Sequence, residues 1–252
     1  MKNKTKAIGM GACALLFSCA AHAEPAPPTE AHFTHTAVNI DGMLNEPIWK
    51  TAPVYQLELP KNKSREGQRV QESGTVQLAW NETHIYFAFH LQDSDLVAEG
   101  TENQLHHYKL GDVAEVFLKP KNQTWYWELY VTPAGNKTSF FMPGRGRRGL
   151  ESNFNYACGL RVASQQDGTL NNWKDRDTAW TAEMAMPIAD LTANGDAFDP
   201  EADWMIFFNR YNFSRYLSDK EQTMHPPLRN QDNHLYEDYS PRKLVLLLPA
   251  NP

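Results

Sequence analysis

The chain has 252 residues, with 24 Lys and Arg against 30 Asp and Glu, a formal net charge of −6 and 41% hydrophobic residues. That length supports one large hydrophobic core. The acidic balance argues against a broad phosphate-facing surface for nucleic acid, which needs a clustered excess of Lys and Arg.

In chain order, residues 1–23 read as a signal peptide: Lys2, Lys4 and Lys6, an apolar run from Ala7 to Ala21, then the small-x-small site Ala21-His22-Ala23. Cleavage near Ala23 implies a periplasmic or extracellular protein; acylation of Cys19, after Leu16-Phe17-Ser18, is the alternative. No later segment approaches the 18 or so consecutive apolar residues of a transmembrane span. Cys13 and Cys19 lie in the leader, so Cys158 is expected as a small, buried, unpaired apolar residue. Residues 24–36, with Pro25, Pro27 and Pro28, read as an extended tether, followed by one domain over 37–252.

Ile40-Asp41-Gly42 reads as a strand end and a turn, Pro47 as a second break, and Trp49 as a large apolar anchor. Thr75 to Trp80 places Val76, Leu78 and Trp80 on one face, and Ile85, Phe87, Phe89 and Leu91 repeat the alternation after Asn81-Glu82-Thr83. This is a hairpin. Ala114, Val116 and Leu118 alternate again, then Trp125, Trp127, Leu129 and Val131, with a turn at Pro133-Ala134-Gly135-Asn136. Trp180 to Met186, Trp204 to Phe213 and Lys243 to Leu248 read as later strands, while Pro47–Ala52 and Pro187–Leu191 could form short helical turns. The pattern predicts an all-β chain: a two-layer antiparallel β-sandwich, jelly-roll or immunoglobulin-like, with short helical turns. The long irregular stretches 56–74, 141–155 and 217–240 are the places to look for a binding face.

No nucleophile elbow, zinc-protease motif, phosphate-cradling loop or zinc-spaced Cys/His cluster is present. His106-His107 reads as a polar loop. Glu115 and Glu128 fall on neighbouring predicted strands, where paired carboxylates can cleave glycosides or simply bind hydroxyls; binding is favoured because nothing else resembles a hydrolase. Asp93, Asp95 and Asp112 offer oxygens for a structural calcium ion, or are solvated turn residues. Arg145, Arg147 and Arg148 could meet an anionic saccharide or balance nearby acids. Trp125 and Trp127 share parity with Leu129 and Val131 and belong to the core, leaving Tyr126, Glu128 and Tyr130 on a face that can be wet.

Together, the Ile40-Asp41-Gly42 turn with Glu46 and Trp49, the hairpin, Asp112-Val113-Ala114-Glu115-Val116-Phe117, Trp180-Thr181-Ala182-Glu183 and Trp204 to Arg210 resemble the family 9 carbohydrate-binding modules, from about residue 37 to 247. The resemblance implies a secreted, non-catalytic protein that grips an oligo- or polysaccharide and supports its capture or degradation, with calcium as a possible structural ion. It also implies an end-of-chain sugar clasped between two Trp rings. Here Lys109, with Tyr108 beside it, stands at the first position, and His234, Leu235 and Tyr236 at the second. Carried over by position, the implied carbohydrate site is Tyr108, Glu115, Tyr130, Arg210 and Tyr236. Two alternatives stay open: a b-type haem domain of the wider dopamine-monooxygenase N-terminal-like sandwiches, using His84, His90, Met184 and Met186, and a glycosidase using Glu115 with Glu128 or Glu183.

Overall fold

The computed structural model describes residues 27–154, 156–192 and 204–245. Twelve strands carry the described fold: β1 (Thr29–Phe33), β2 (Tyr55–Gln56), β3 (Gly74–Trp80), β4 (His84–Gln92), β5 (Val113–Pro120), β6 (Tyr126–Val131), β7 (Lys137–Met142), β8 (Arg161–Asp167), β9 (Ala179–Pro187), β10 (Trp204–Asn212), β11 (Glu221–His225) and β12 (Ser240–Val245). Two single-turn helices, α1 (Lys61–Arg65) and α2 (Ile188–Thr192), and a few 3-10 turns join them. Among the described residues no helix is long and apolar enough to cross a membrane.

The strands form one hydrogen-bonded path, β7-β6-β5-β10-β12-β1-β3-β4-β9-β8, with β11 on β10 and β2 on β3. Pairing is antiparallel except at β1, which runs parallel to both β12 and β3. The path curls over on itself: Phe87 and Phe89 of β4 meet Phe208 of β10 with ring centroids 6.0 and 6.1 Å apart, although four strand-to-strand steps separate them through β3, β1 and β12. Between the facing halves lies a core of Val76, Leu78, Phe87, Val116, Trp127 and Ile206, each fully or almost fully buried. Apolar side chains of this size each contribute about 1.5–3 kcal/mol on burial.

Alternation placed the hairpin correctly, with Leu78 opposite Phe87. It also placed Trp127, Leu129 and Val131 inward. The expected tether is corrected over residues 29–33: Thr29 and Ala31 are buried, and the segment bridges the two halves of the sheet as β1. Its short, mixed polar sequence gave no alternation to read. The signal-peptide segment and residues 246–248 of the last predicted strand lie outside the described residues.

The Asp41-Gly42 turn is pinned by Glu183 of β9. Its carboxylate accepts the Asp41 and Gly42 backbone N–H groups at 3.1 and 2.9 Å and the Trp49 indole N–H at 2.8 Å. Gly42 has φ +83°, and a Cβ there would lie 2.8 Å from the Ser164 backbone, so only glycine fits. This part of the chain fastens the N-terminal segment to the sheet.

Candidate functional site

The outer face of β5, β6 and β10 carries the candidate site. Because strand side chains alternate, Ala114, Val116, Leu118 and Phe208 turn toward the core, while Glu115, Phe117, Glu128, Tyr130, Asn209 and Tyr211 turn the other way. Over that face fold the segments around 106–109, 148–154 and 231–234, enclosing a cavity of ≈ 520 Å³. Two of the three long irregular stretches expected to form a binding face therefore do line this cavity; residues 56–74 do not.

Glu115 is 1% exposed. One of its carboxylate oxygens accepts amide N–H bonds from Asn209 at 2.9 Å and Asn233 at 3.0 Å. Gln222 of β11 fixes both amides by donating to Asn209 Oδ1 at 3.0 Å and Asn233 Oδ1 at 2.6 Å, which leaves their N–H ends facing Glu115. On the adjoining strand Glu128, 2% exposed, accepts the Tyr130 hydroxyl at 2.8 Å. Glu115 stands opposite Tyr130, and Glu128 opposite Phe117, so the two carboxylates are diagonal neighbours on one face.

Burial first, and then the charge of Glu128, push the Glu115 carboxyl well above the usual range. Burial raises Glu128 to about 7, against the opposing pull of the Tyr130 hydrogen bond. His234, whose Nδ1 is 2.7 Å from the Tyr126 hydroxyl, is lowered by burial to about 4 and is uncharged at neutral pH. The walls are aromatic: Tyr108 lies edge-on to Tyr130 at 6.5 Å, and Phe154 stacks on His106 at 4.3 Å beside Phe140. Arg148 stands at the opening, 3.4 Å from Asp232. The cavity thus presents flat apolar surfaces above fixed acceptors.

Of the implied site residues, Tyr108, Glu115 and Tyr130 line this cavity and Arg210 and Tyr236 do not. Arg210 is one residue out of phase with Asn209, so it points to the core side. There it is fully buried, 3.1 Å from Asp93 and bonded to the Glu72 and Gln92 carbonyls. Tyr236 lies outside, its ring 3.9 Å from the Arg145 guanidinium and 4.7 Å from the Lys119 ammonium. Asn209, Asn233, Gln222 and Tyr211 are the residues that the sequence reading missed. The alternation of Trp204, Ile206 and Phe208 was the signal that could have selected Asn209 over Arg210.

Among the described residues the expected calcium ligands Asp93, Asp95 and Asp112 do not converge as one cluster, and each takes hydrogen bonds of its own. Asp93 accepts from Asp95 N–H and Arg210, Asp95 from Arg215 N–H, and Asp112 from Val97 and Phe213 N–H. Among the described residues the carboxylates that converge are Asp41, Glu46 and Glu183. Both Glu183 oxygens there already serve the Asp41-Gly42 turn and Trp49. The haem set is split in the same way: Met184 and Met186 are buried in the core, whereas His84 stacks on Tyr86 and His90 is exposed. Glu183 sits at the Asp41-Gly42 turn and shares no cavity with Glu115, which leaves Glu128 as the only carboxylate of that trio beside it. Cys158 is half-buried against the core. In the arginine loop, Arg145 meets Glu237, Arg148 meets Asp232, and Arg147 is exposed.

Three carboxyls held above their ordinary values set a pH dependence: Asp93 at about 6, Glu128 at about 7 and Glu183 at about 7, each raised chiefly by burial. Between roughly pH 4 and 7 these three carboxyls hold more protons in the folded chain than in the unfolded one, so their contribution to stability falls as pH rises through that window, while His225 and His234, lowered by burial to about 4, hold fewer and oppose it. A tenfold difference in proton affinity between the folded and unfolded chain is worth ~1.4 kcal/mol, so removing one raised carboxyl is expected to change the difference in melting temperature between pH 5 and pH 7.5 by about 2 °C or more. Glu128→Gln, which keeps every histidine, should lose less melting temperature or gain more than the wild type between pH 5 and 7.5, and an unchanged difference contradicts the assignment.

A family model described as carbohydrate family 9 binding domain-like matches residues 40–201. No curated protein sequence matches the chain. Among solved structures the chain is similar to a candidate carbohydrate-binding protein from Bacteroides uniformis ATCC 8492, with TM-score 0.62, 10% identity, and coverage of 87% of this chain and 99% of that one. It is also similar to a family 9 carbohydrate-binding module from Caldicellulosiruptor kristjanssonii in complex with cellotriose, with TM-score 0.54 and 13% identity over 88% of this chain and 100% of that one. The same module in complex with glucose gives TM-score 0.53 at the same identity and coverage. At these identities the likeness is one of fold.

Proposed function

The chain belongs to the carbohydrate family 9 binding domain-like family, and from that premise we propose that it is a non-catalytic carbohydrate-binding protein, exported through its N-terminal leader, that holds a saccharide on the outer face of β5, β6 and β10. The observation that carries this reading is Glu115: a carboxylate clamped by two oriented amides on the floor of a cavity of ≈ 520 Å³. Small-molecule sites are typically about 300–1,000 Å³. A sugar hydroxyl donates to a fixed carboxylate without any need for a tuned pKa, and the C–H face of the ring packs on Tyr108, Phe140 or Tyr211. In this reading the curled sheet is the two-layer sandwich expected from the alternation, and the Trp clasp is replaced by these smaller rings.

The glycosidase reading has less support, since the family that the chain belongs to is one of binding domains. Affinity is expected in the micromolar to millimolar range, on the order of −8 to −4 kcal/mol, because a single exposed sugar buries little area. Calorimetric titration with a panel of cello-, xylo-, manno- and chito-oligosaccharides tests the proposal. At least one should bind, and Glu115→Ala should weaken it by tenfold or more while the protein still melts cooperatively. Undiminished binding by the folded variant places the site elsewhere.

A further inference from the structure

The floor of the cavity is more acidic than a neutral sugar requires. Glu115 and Glu128 both line it, both are at least 98% buried, and each keeps one carboxylate oxygen without a hydrogen-bond partner: Oε1 in both cases. Asn209 and Asn233 supply the other Glu115 oxygen, and Tyr130 the other Glu128 oxygen. The group nearest to completing Glu128 is His234, whose Nδ1 lies 3.3 Å from Oε1. That nitrogen also faces the Tyr126 hydroxyl at 2.7 Å; with Tyr126 donating to it, its one lone pair is engaged there and it carries no proton to give to Glu128. The cations of the cavity stand at its edge. Arg148 is exposed and turned to Asp232, and Lys109 is exposed with its ammonium 5.3 Å from the Tyr108 ring.

Resting on the proposed function, we infer that this pocket takes a saccharide carrying a protonated amino group, the chemistry of an unacetylated hexosamine. An ammonium brings three donors and a positive charge to a place where two buried carboxyls each keep an oxygen without a donor, and its charge favours the ionised form that burial otherwise opposes. A neutral hydroxyl supplies a donor but no charge to favour the ionised carboxylates. N-acetylation removes both the charge and two of the donors while keeping the ring, so it is the sharp control. The same two acids oppose an anionic saccharide, which the three-arginine loop alone would have suggested: two of its guanidiniums already meet Glu237 and Asp232.

The test is calorimetric titration of the whole protein with the β-1,4 trimer of glucosamine, the matching trimer of N-acetylglucosamine, and cellotriose, at a pH where the free amine is protonated. The glucosamine trimer is expected to bind at least tenfold more tightly than either of the others, and the advantage should shrink in high salt. In Glu128→Gln the ratio between the glucosamine and N-acetylglucosamine trimers should move toward one. Cellotriose or the acetylated trimer binding as well as the glucosamine trimer overturns this inference and leaves the carbohydrate reading standing. Absence of binding to all three and to the wider panel overturns the carbohydrate reading, and this inference with it. If the variant does not fold, the wild-type comparison decides alone.

Discussion

Replacing Arg210 by methionine is expected to lower the unfolding free energy by about 3–5 kcal/mol and to leave the saccharide affinity of the folded fraction within about twofold. The guanidinium is fully buried with Asp93 at 3.1 Å, and it also satisfies the Glu72 and Gln92 carbonyls at 3.2 and 2.5 Å. Removing it strands a buried carboxylate and takes a donor from two half-buried carbonyls. Even with the guanidinium in place, burial outweighs the ion pair and holds Asp93 at about 6, so its loss should drive Asp93 to the neutral acid. Denaturant unfolding beside calorimetric binding reads both quantities. A stable variant with lost binding would return Arg210 to the ligand site and reverse the face assignment of β10.

The second large effect is expected at Glu183. Its two oxygens accept three donors from the Asp41-Gly42 turn and Trp49, two of them buried. Each donor left without a partner costs about 1–3 kcal/mol, offset in part because a carboxyl that burial raises to about 7 is itself uncomfortable there. Glu183→Ala should therefore destabilise by about 2–4 kcal/mol, by chemical denaturation, with saccharide binding kept. Glutamine should rescue only in part, since its amide end must face donors on one side. Trp49→Phe in the two backgrounds supplies the check: the indole N–H should matter in the wild type and not in Glu183→Ala, giving a coupling of about 1 kcal/mol or more. Purely additive losses contradict the pinned turn.

Much of this architecture was legible because side-chain alternation is a strong signal wherever one face is buried. Val76-x-Leu78-x-Trp80 and Trp127-x-Leu129-x-Val131 read directly as inward faces, and the same parity left Tyr126, Glu128 and Tyr130 for the outer surface. What failed was local context. β1, β8 and β11 carry sequences such as Thr29-Glu30-Ala31-His32-Phe33 and Glu221-Gln222-Thr223-Met224-His225, whose strand state comes from the neighbours they pair with. Motif position carried Glu115 into the cavity but placed Arg210 there too, where a one-residue difference in phase reverses the direction of the side chain. Asn233 and Gln222 lie in or beside a long polar stretch, and no pattern within that stretch tells which amides will reach across to Glu115.

The central claim is that the outer face of β5, β6 and β10, beneath the loops around 106–109, 148–154 and 231–234, is where the sugar is held. A crystal structure of the protein soaked with the glucosamine trimer or cellotriose tests it most directly. A sugar ring should occupy the cavity within hydrogen-bonding reach of Glu115 and against the ring of Tyr108, Phe140 or Tyr211. Saccharide bound instead at the exposed rings of Trp173 or Tyr216, with the cavity left to solvent, would contradict the account.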